Sequence, residues 1–203
     1  MTQIAEILPG VFHWTAMHPN IHMDVSSYYL EEPRALIDPM LPQEGAEWFG
    51  GRTPPERILL TNRHHYRDSD RFRAEFDCPV LCSEPGLHEF EDGPAVDGFS
   101  FGDEVAPGVT ALEVGVICPD ETALRADVAG GLLSIADGVI SYDGLRFVPD
   151  QLLGDDPDAV KRGLRGAYRA LLDQEFDALL LAHGEPLARG GKRALREFVE
   201  SDA

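Results

Sequence analysis

Short apolar runs that stop abruptly at one polar residue recur along this chain. Ile58-Leu59-Leu60 runs into Thr61-Asn62-Arg63-His64-His65-Tyr66-Arg67-Asp68, Leu132-Leu133-Ser134-Ile135-Ala136 stops at Asp137-Gly138, and Ala178-Leu179-Leu180-Leu181-Ala182 stops at His183-Gly184-Glu185-Pro186. Runs this short, bounded by Gly or Pro, read as buried strands rather than helices. Where helices pack outside a sheet, ligands gather at strand ends. The three endings therefore nominate His64, Asp137 and His183 as one site.

The rest of the pattern supplies the frame. Strand signals lie at 10–14, 26–30 and 35–37, and a helix is expected around 44–49. A βαβ-like unit follows, from Ile58–Leu60 through a helix opening near Ser69-Asp70 and running towards Phe76, to a strand at 79–82. The histidines thus sit in a loop before a helix N-terminus, where an anion or a polarised water is favoured. Alternation and Gly turns over 99–102, 109–116, 123–128 and 132–136 suggest an antiparallel meander. Val160, Leu164, Ala167, Leu171, Leu172 and Phe176 recur at helical spacing, which predicts a helix whose stripe covers the sheet.

Composition narrows the class. The chain has 203 residues and 43% hydrophobic content, with no linker-like tract, so residues 1–203 are expected to form a single domain. No run approaches the ~20 apolar residues of a bilayer span, and Met1–Glu6 lacks the regions of a signal peptide. A soluble cytoplasmic protein is the expectation, with no membrane partner. Cys78, Cys82 and Cys118 lack zinc-ribbon or disulfide spacing and are read as reduced, buried thiols. The formal charge of -19, from 36 acidic and 17 basic residues, repels phosphate backbones and disfavours nucleic acid. The expected partner is a small molecule.

The motif segments resemble those of the metallo-β-lactamase-fold hydrolases. That family carries Thr-His-x-His-x-Asp-His after a strand, then a Gly-His-Thr-like turn, an Asp after a further strand and a late Gly-His-Gly-like turn. Here these stand as Thr61-Asn62-Arg63-His64-His65-Tyr66-Arg67, Cys118-Pro119-Asp120-Glu121-Thr122, Ile135-Ala136-Asp137-Gly138 and Leu181-Ala182-His183-Gly184. Leu8-Pro9-Gly10-Val11 and Ala35-Leu36-Ile37-Asp38-Pro39 look like its first hairpin. The resemblance spans almost the whole chain and implies an α/β (α+β) fold, a four-layer αββα sandwich. Only Gly190 to Ala203 follow the last turn, so the bare catalytic domain is what the resemblance implies.

The ligand positions depart from the family. Asn62 stands at the first motif His, Tyr66 at the Asp, Arg67 at the last His and Glu121 at the later His. A two-metal site is not expected. One reading puts a single Zn, Mn or Fe ion on His64, Asp137 and His183, with Glu121 as fourth ligand and Asp137 as the catalytic carboxylate of a small-molecule hydrolase. The rival lets the Arg67 guanidinium pair bidentately with Asp137 in place of a cation, leaving a metal-free binding or regulatory protein. Adjacent residues on extended backbone point opposite ways, so one of His64 and His65 is expected to face the site, and the resemblance favours His64, which stands at a family His position. His65, Tyr66, Arg67, His18 and His22 are expected as pocket residues, the last two from a loop that overhangs the site in this fold. His13 and His88 carry no motif and are read as structural or surface residues, and Arg63 as outward-pointing.

Overall fold

The computed structural model describes residues 2–201; Met1, Asp202 and Ala203 of the expected single domain lie outside the described residues. A seven-stranded sheet runs in chain order through β1 (Ala5–Leu8), β2 (Val11–Met17), β3 (Asp24–Leu30), β4 (Ala35–Ile37), β5 (Arg57–Leu59), β6 (Val80–Ser83) and β7 (Asp97–Phe99). The first four strands pair antiparallel, and β4 through β7 pair parallel. Parallel neighbours need crossovers. These are the 3-10 segment Ala46–Gly51, the helix α1 (Ser69–Phe76) and the 3-10 segment Glu84–Phe90.

The second sheet holds β8 (Glu104–Ala106), β9 (Val109–Glu113), β10 (Thr122–Ala126), β11 (Leu132–Ile135) and β14 (Ala178–Leu181), in the order β14-β11-β10-β9-β8. Only β11 and β14 pair parallel, and the helix α2 (Pro157–Leu171) lies in the connection between them. A small hairpin, β12 (Val139–Ser141) with β13 (Leu145–Phe147), precedes it, and α3 (Gly191–Glu200) follows β14.

The two-residue period of these strands builds the layers. Ile37 and Leu59 of the first sheet meet Ala111, Leu124, Leu132 and Leu180 of the second in a core between the sheets. Their neighbours Leu36, Ile58 and Leu60 face outward, onto Phe49, Phe72 and Phe90. On the other flank Leu133, Leu179 and Leu181 meet Leu164 and Tyr168 of α2 and Leu195 and Val199 of α3. Both faces of both sheets are therefore covered, which is why their strands read as continuous apolar runs. The result is the expected αββα arrangement.

Several elements differ from the sequence expectation. The segment expected as a helix around 44–49 is a 3-10 turn two residues later, at Ala46–Gly51. Phe99 closes β7 of the first sheet rather than opening the meander, because its register is set by β6. The hairpin β12–β13 and the helix α3 were not expected from the sequence. Leu195 and Val199, a turn apart, complete the core that α2 begins.

Candidate functional site

The two sheets are stitched together at one edge. The Ser26 N–H donates to Ala182 O (2.9 Å), the Tyr28 hydroxyl donates to Leu181 O (2.8 Å), and the Thr122 N–H donates to Thr61 O (2.8 Å). These bonds carry the ends of β5, β11 and β14 to one place. A cavity of about 580 Å³ opens there, with His64, His65, Arg67, Asp137 and His183 on its polar side. Pro19, Ile21, Val25 and Met40 form its apolar side, and His18 and Asn20 complete the overhanging loop.

Asp137 is the hub. Its Oδ1 lies 3.1 Å from His65 Nε2 and 3.3 Å from His183 Nε2, and its Oδ2 accepts from Asn62 Nδ2 at 3.1 Å. Asn62 uses its other end to cap the turn Arg63–Tyr66, accepting the His64 N–H at 2.9 Å. The Asn62 amide thus ties the loop to the carboxylate. His183 is fixed behind by Nδ1, 3.4 Å from Asp24 O.

His65 is clamped from both sides. Its Nδ1 is 2.9 Å from Asp38 Oδ2, while Asp38 also accepts the Thr61 N–H (2.8 Å) and hydroxyl (2.5 Å). Burial would strip the His65 proton, but the Asp137 and Asp38 carboxylates outweigh it and raise its pKa to about 9. The converse holds for the carboxylates. Burial pushes both upward, yet the imidazolium between them holds Asp38 below, and Asp137 well below, the usual carboxylate range.

Arg67 completes the charge balance without touching Asp137 in the expected way. Its Nη1 donates to the carbonyls of Ser26 and Asp38, each at 2.7 Å, and burial lowers its pKa while Asp38 and Asp137 pull the other way. The bidentate Arg67–Asp137 pair is corrected to this arrangement. Its physical reason is the backbone: Arg67 has φ 46° and ψ -120°, which turns the guanidinium under β3 towards two carbonyls. Asp38, at φ 47°, is also left-handed. Two such non-glycine residues at one site are strain that the surrounding hydrogen bonds must hold. Two cations, His65 and Arg67, balance two carboxylates, Asp38 and Asp137.

Other expected site residues fall elsewhere. His64, favoured by its motif position, lines the cavity but is exposed, and in the 3-10 turn capped by Asn62 it is His65 that takes the inner position. Tyr66 points away, its hydroxyl donating to Asp70 Oδ1 at 2.5 Å. His22, at φ 52°, is exposed and does not line the cavity. Glu121 is buried behind the Asp137-Gly138 turn: Oε2 accepts the Ile117 N–H at 3.2 Å, Oε1 has no partner, and burial raises its pKa to about 7. It is no fourth ligand for the cavity. Arg63 turns inward to pair with the fully buried Asp120, which also accepts its N–H at 2.7 Å.

Asp38 and Thr61 were missed as site residues, although Ala35-Leu36-Ile37 running into Asp38 repeats the pattern of the other three endings. The three cysteines are buried thiols, as expected. His13 is buried against Tyr28, with Nε2 3.1 Å from Ser26 Oγ, and His88 bonds Pro85 O locally.

Three solved structures place this arrangement. The mono-zinc form of the metallo-β-lactamase FIM-1 from Pseudomonas aeruginosa superposes with a TM-score of 0.69 at 14% identity, covering 98% of this chain and 96% of that one. The fold is decided by that match. This chain has the metallo-β-lactamase fold. The class B3 di-zinc metallo-β-lactamase LRA-12 from an Alaskan soil metagenome gives 0.65 at 8% identity, covering 98% and 90%. A Cronobacter sakazakii metallo-β-lactamase with a HARLDQ motif gives 0.62 at 18%, covering 89% and 78%. No family model matches the sequence, and no curated protein matches it.

Zinc forms among these neighbours raise the question whether this site fits a metal. Among the described residues, no three His, Cys, Asp or Glu side chains gather as a group able to hold one. The geometry explains why: Asp137 Oδ1 faces both inner imidazoles directly, His65 lies between two carboxylates, and the Arg67 guanidinium sits alongside. Coordination needs a neutral imidazole. The side chains as arranged suit hydrogen bonding and do not fit a divalent ion. Among the described residues no helix is long and apolar enough to cross a membrane.

Proposed function

We propose that this protein binds a small molecule in the cavity over Asp137 without a metal, on a hydrolase-like fold. The observation that carries this reading is that Asn62, His65 and His183 hold Asp137 in place while 34% of its side chain stays open to the cavity. In this reading Asp137 receives a hydrogen-bond donor of the ligand. The apolar side formed by Ile21, Val25 and Met40 takes the ligand body, and His18 and His64 stand at the mouth as polar contacts. Among the described residues that line the cavity there is no serine or cysteine.

One observation favours a second reading, a small-molecule hydrolase with a single Zn, Mn or Fe ion. His65 rests Nδ1 on Asp38, the support that metal-bound imidazoles commonly have. That reading requires His65 to release its proton and Arg67 to tolerate a nearby dication. Elemental analysis of protein purified without chelator, with thermal melts before and after chelation, separates the two. The metal-free reading expects far less than one metal per chain and an unmoved melting temperature. One metal per chain whose removal lowers the melting temperature overturns it.

A further inference from the structure

The chain is strongly acidic, yet one concave surface is not. Between β13, α2 and the end of α3 lies a cleft of about 770 Å³, larger than the cavity over Asp137 and within the range of small-molecule sites. Of the chain's 17 basic residues, Arg146, Lys161, Arg162, Arg165 and Arg169 line it, against three acidic ones among the described residues. Four of the five share one stripe of α2, since 161, 162, 165 and 169 recur at helical spacing. Arg146 faces them from β13.

A purely structural role accounts for part of this cluster. Arg165 donates to Phe198 O at 2.6 Å and Arg169 to Val199 O at 3.0 Å, which satisfies carbonyls at the C-terminal end of α3. Lys161 pairs with Asp150 at 2.6 Å. Arg146 and Arg162 serve neither purpose. Arg146 lies over the Tyr142 ring at 5.4 Å, and Arg162 is exposed on the α2 stripe. With the helix-end carbonyls already bonded, the two capping guanidiniums add positive charge beneath the cleft rather than leaving a negative helix end there. Arg165 is further fixed by the rings of Phe147 and Phe198, at 5.1 and 5.5 Å.

We propose that this cleft is a second ligand site, for a small polyanion bearing phosphate groups, separate from the cavity over Asp137. Guanidinium groups fixed at one end and arranged on two facing walls match the several oxygens of a phosphate chain, which they bind through charge-assisted bonds. Size and concavity select a small ligand over an extended acidic partner. Phosphate backbones of nucleic acid meet the rest of a strongly acidic surface, and only a compact anion stays within the basic patch.

The test is a titration of isotope-labelled protein with inorganic pyrophosphate, ionic strength held constant with sodium chloride and amide shifts followed by NMR. Saturable one-to-one shifts confined to residues 145–149, 161–169 and 198–201 are expected. Arg162→Ala and Arg146→Ala should each weaken binding about tenfold, the loss of one charge-assisted contact. Both variants should keep the wild-type melting temperature, since neither side chain caps α3. Shifts that chloride alone reproduces, or shifts centred on His65 and His183, or binding unchanged in both variants would each overturn the proposal.

Discussion

Arg67 and Arg162 are the same side chain in opposite circumstances. Arg67 lies beneath the cavity with two carbonyls and two nearby carboxylates arranged around it, and its neighbour His65 is held between those same carboxylates. Arg162 stands exposed on α2 in a patch where cations outnumber carboxylates. Burial forces compensation, because an unpaired charge taken from water costs far more than folding can spare. Exposure removes that requirement. In the central site two cations and two carboxylates compensate one another, whereas the outer cleft carries an excess of cations, which is why an anion is proposed for it.

Breaking the central unit should show the largest effect. Asp38→Ala leaves His65 and Arg67 facing a gap among buried groups, and the loss of one partner of such a set typically costs about 3–5 kcal/mol. Urea unfolding measures it, and a loss below about 1 kcal/mol would show that the cluster is solvated rather than buried. Arg67→Ala should cost less, about 1–3 kcal/mol, since it unpairs two carbonyls and removes one of two balancing cations. Added zinc should recover part of that loss, by binding the folded state once the guanidinium is gone. A mutant as stable as the wild type would remove Arg67 from the balance.

The pH dependence sharpens the same contrast. His65 binds its proton more tightly in the folded state, with a pKa of about 9 against an ordinary 6.5, so its contribution is complete below about 6.5 and is lost as pH rises towards 9. Glu121, raised to about 7, acts in the same direction from its ordinary value upward. Unfolding free energy should fall between pH 7 and 9, and a flat profile there would mean that His65 is neutral. The smallest effect belongs to the outer cleft. Arg162→Ala should leave stability within about 0.5 kcal/mol of the wild type by thermal melting, as exposed substitutions usually do.

Position in the site was legible wherever a strand end set it. Asp137 and His183 follow β11 and β14 directly, and the pairing of those two strands brings them together. His65 was expected only as a pocket residue, and its inner position was not legible, because the choice between adjacent histidines depends on a 3-10 turn capped by Asn62. Asp38 was hidden by its commonness as a turn residue, although it too ends a strand. Glu121 was read as a ligand from chain order alone, and only the packing behind Gly138 shows its carboxylate turned into the core.

The sequence by itself determined the layers, since period-two runs of Leu, Ile and Val buried on both faces can form only covered sheets, and α2 shows its core stripe by spacing. It determined the edge at which chemistry gathers, because apolar runs stop there at polar residues. It also put Asn62, Tyr66, Arg67 and Glu121 at positions where the resemblance implies ligands. Tertiary structure alone decided which of those polar groups meet. A side chain's partners depend on the left-handed turns at Asp38 and Arg67, on the bonds that join the two sheets, and on charges brought within a few ångströms by segments far apart in the chain. Local pattern carries none of these distances, and the balance of His65 and Arg67 against Asp38 and Asp137 exists only once the sheets have closed.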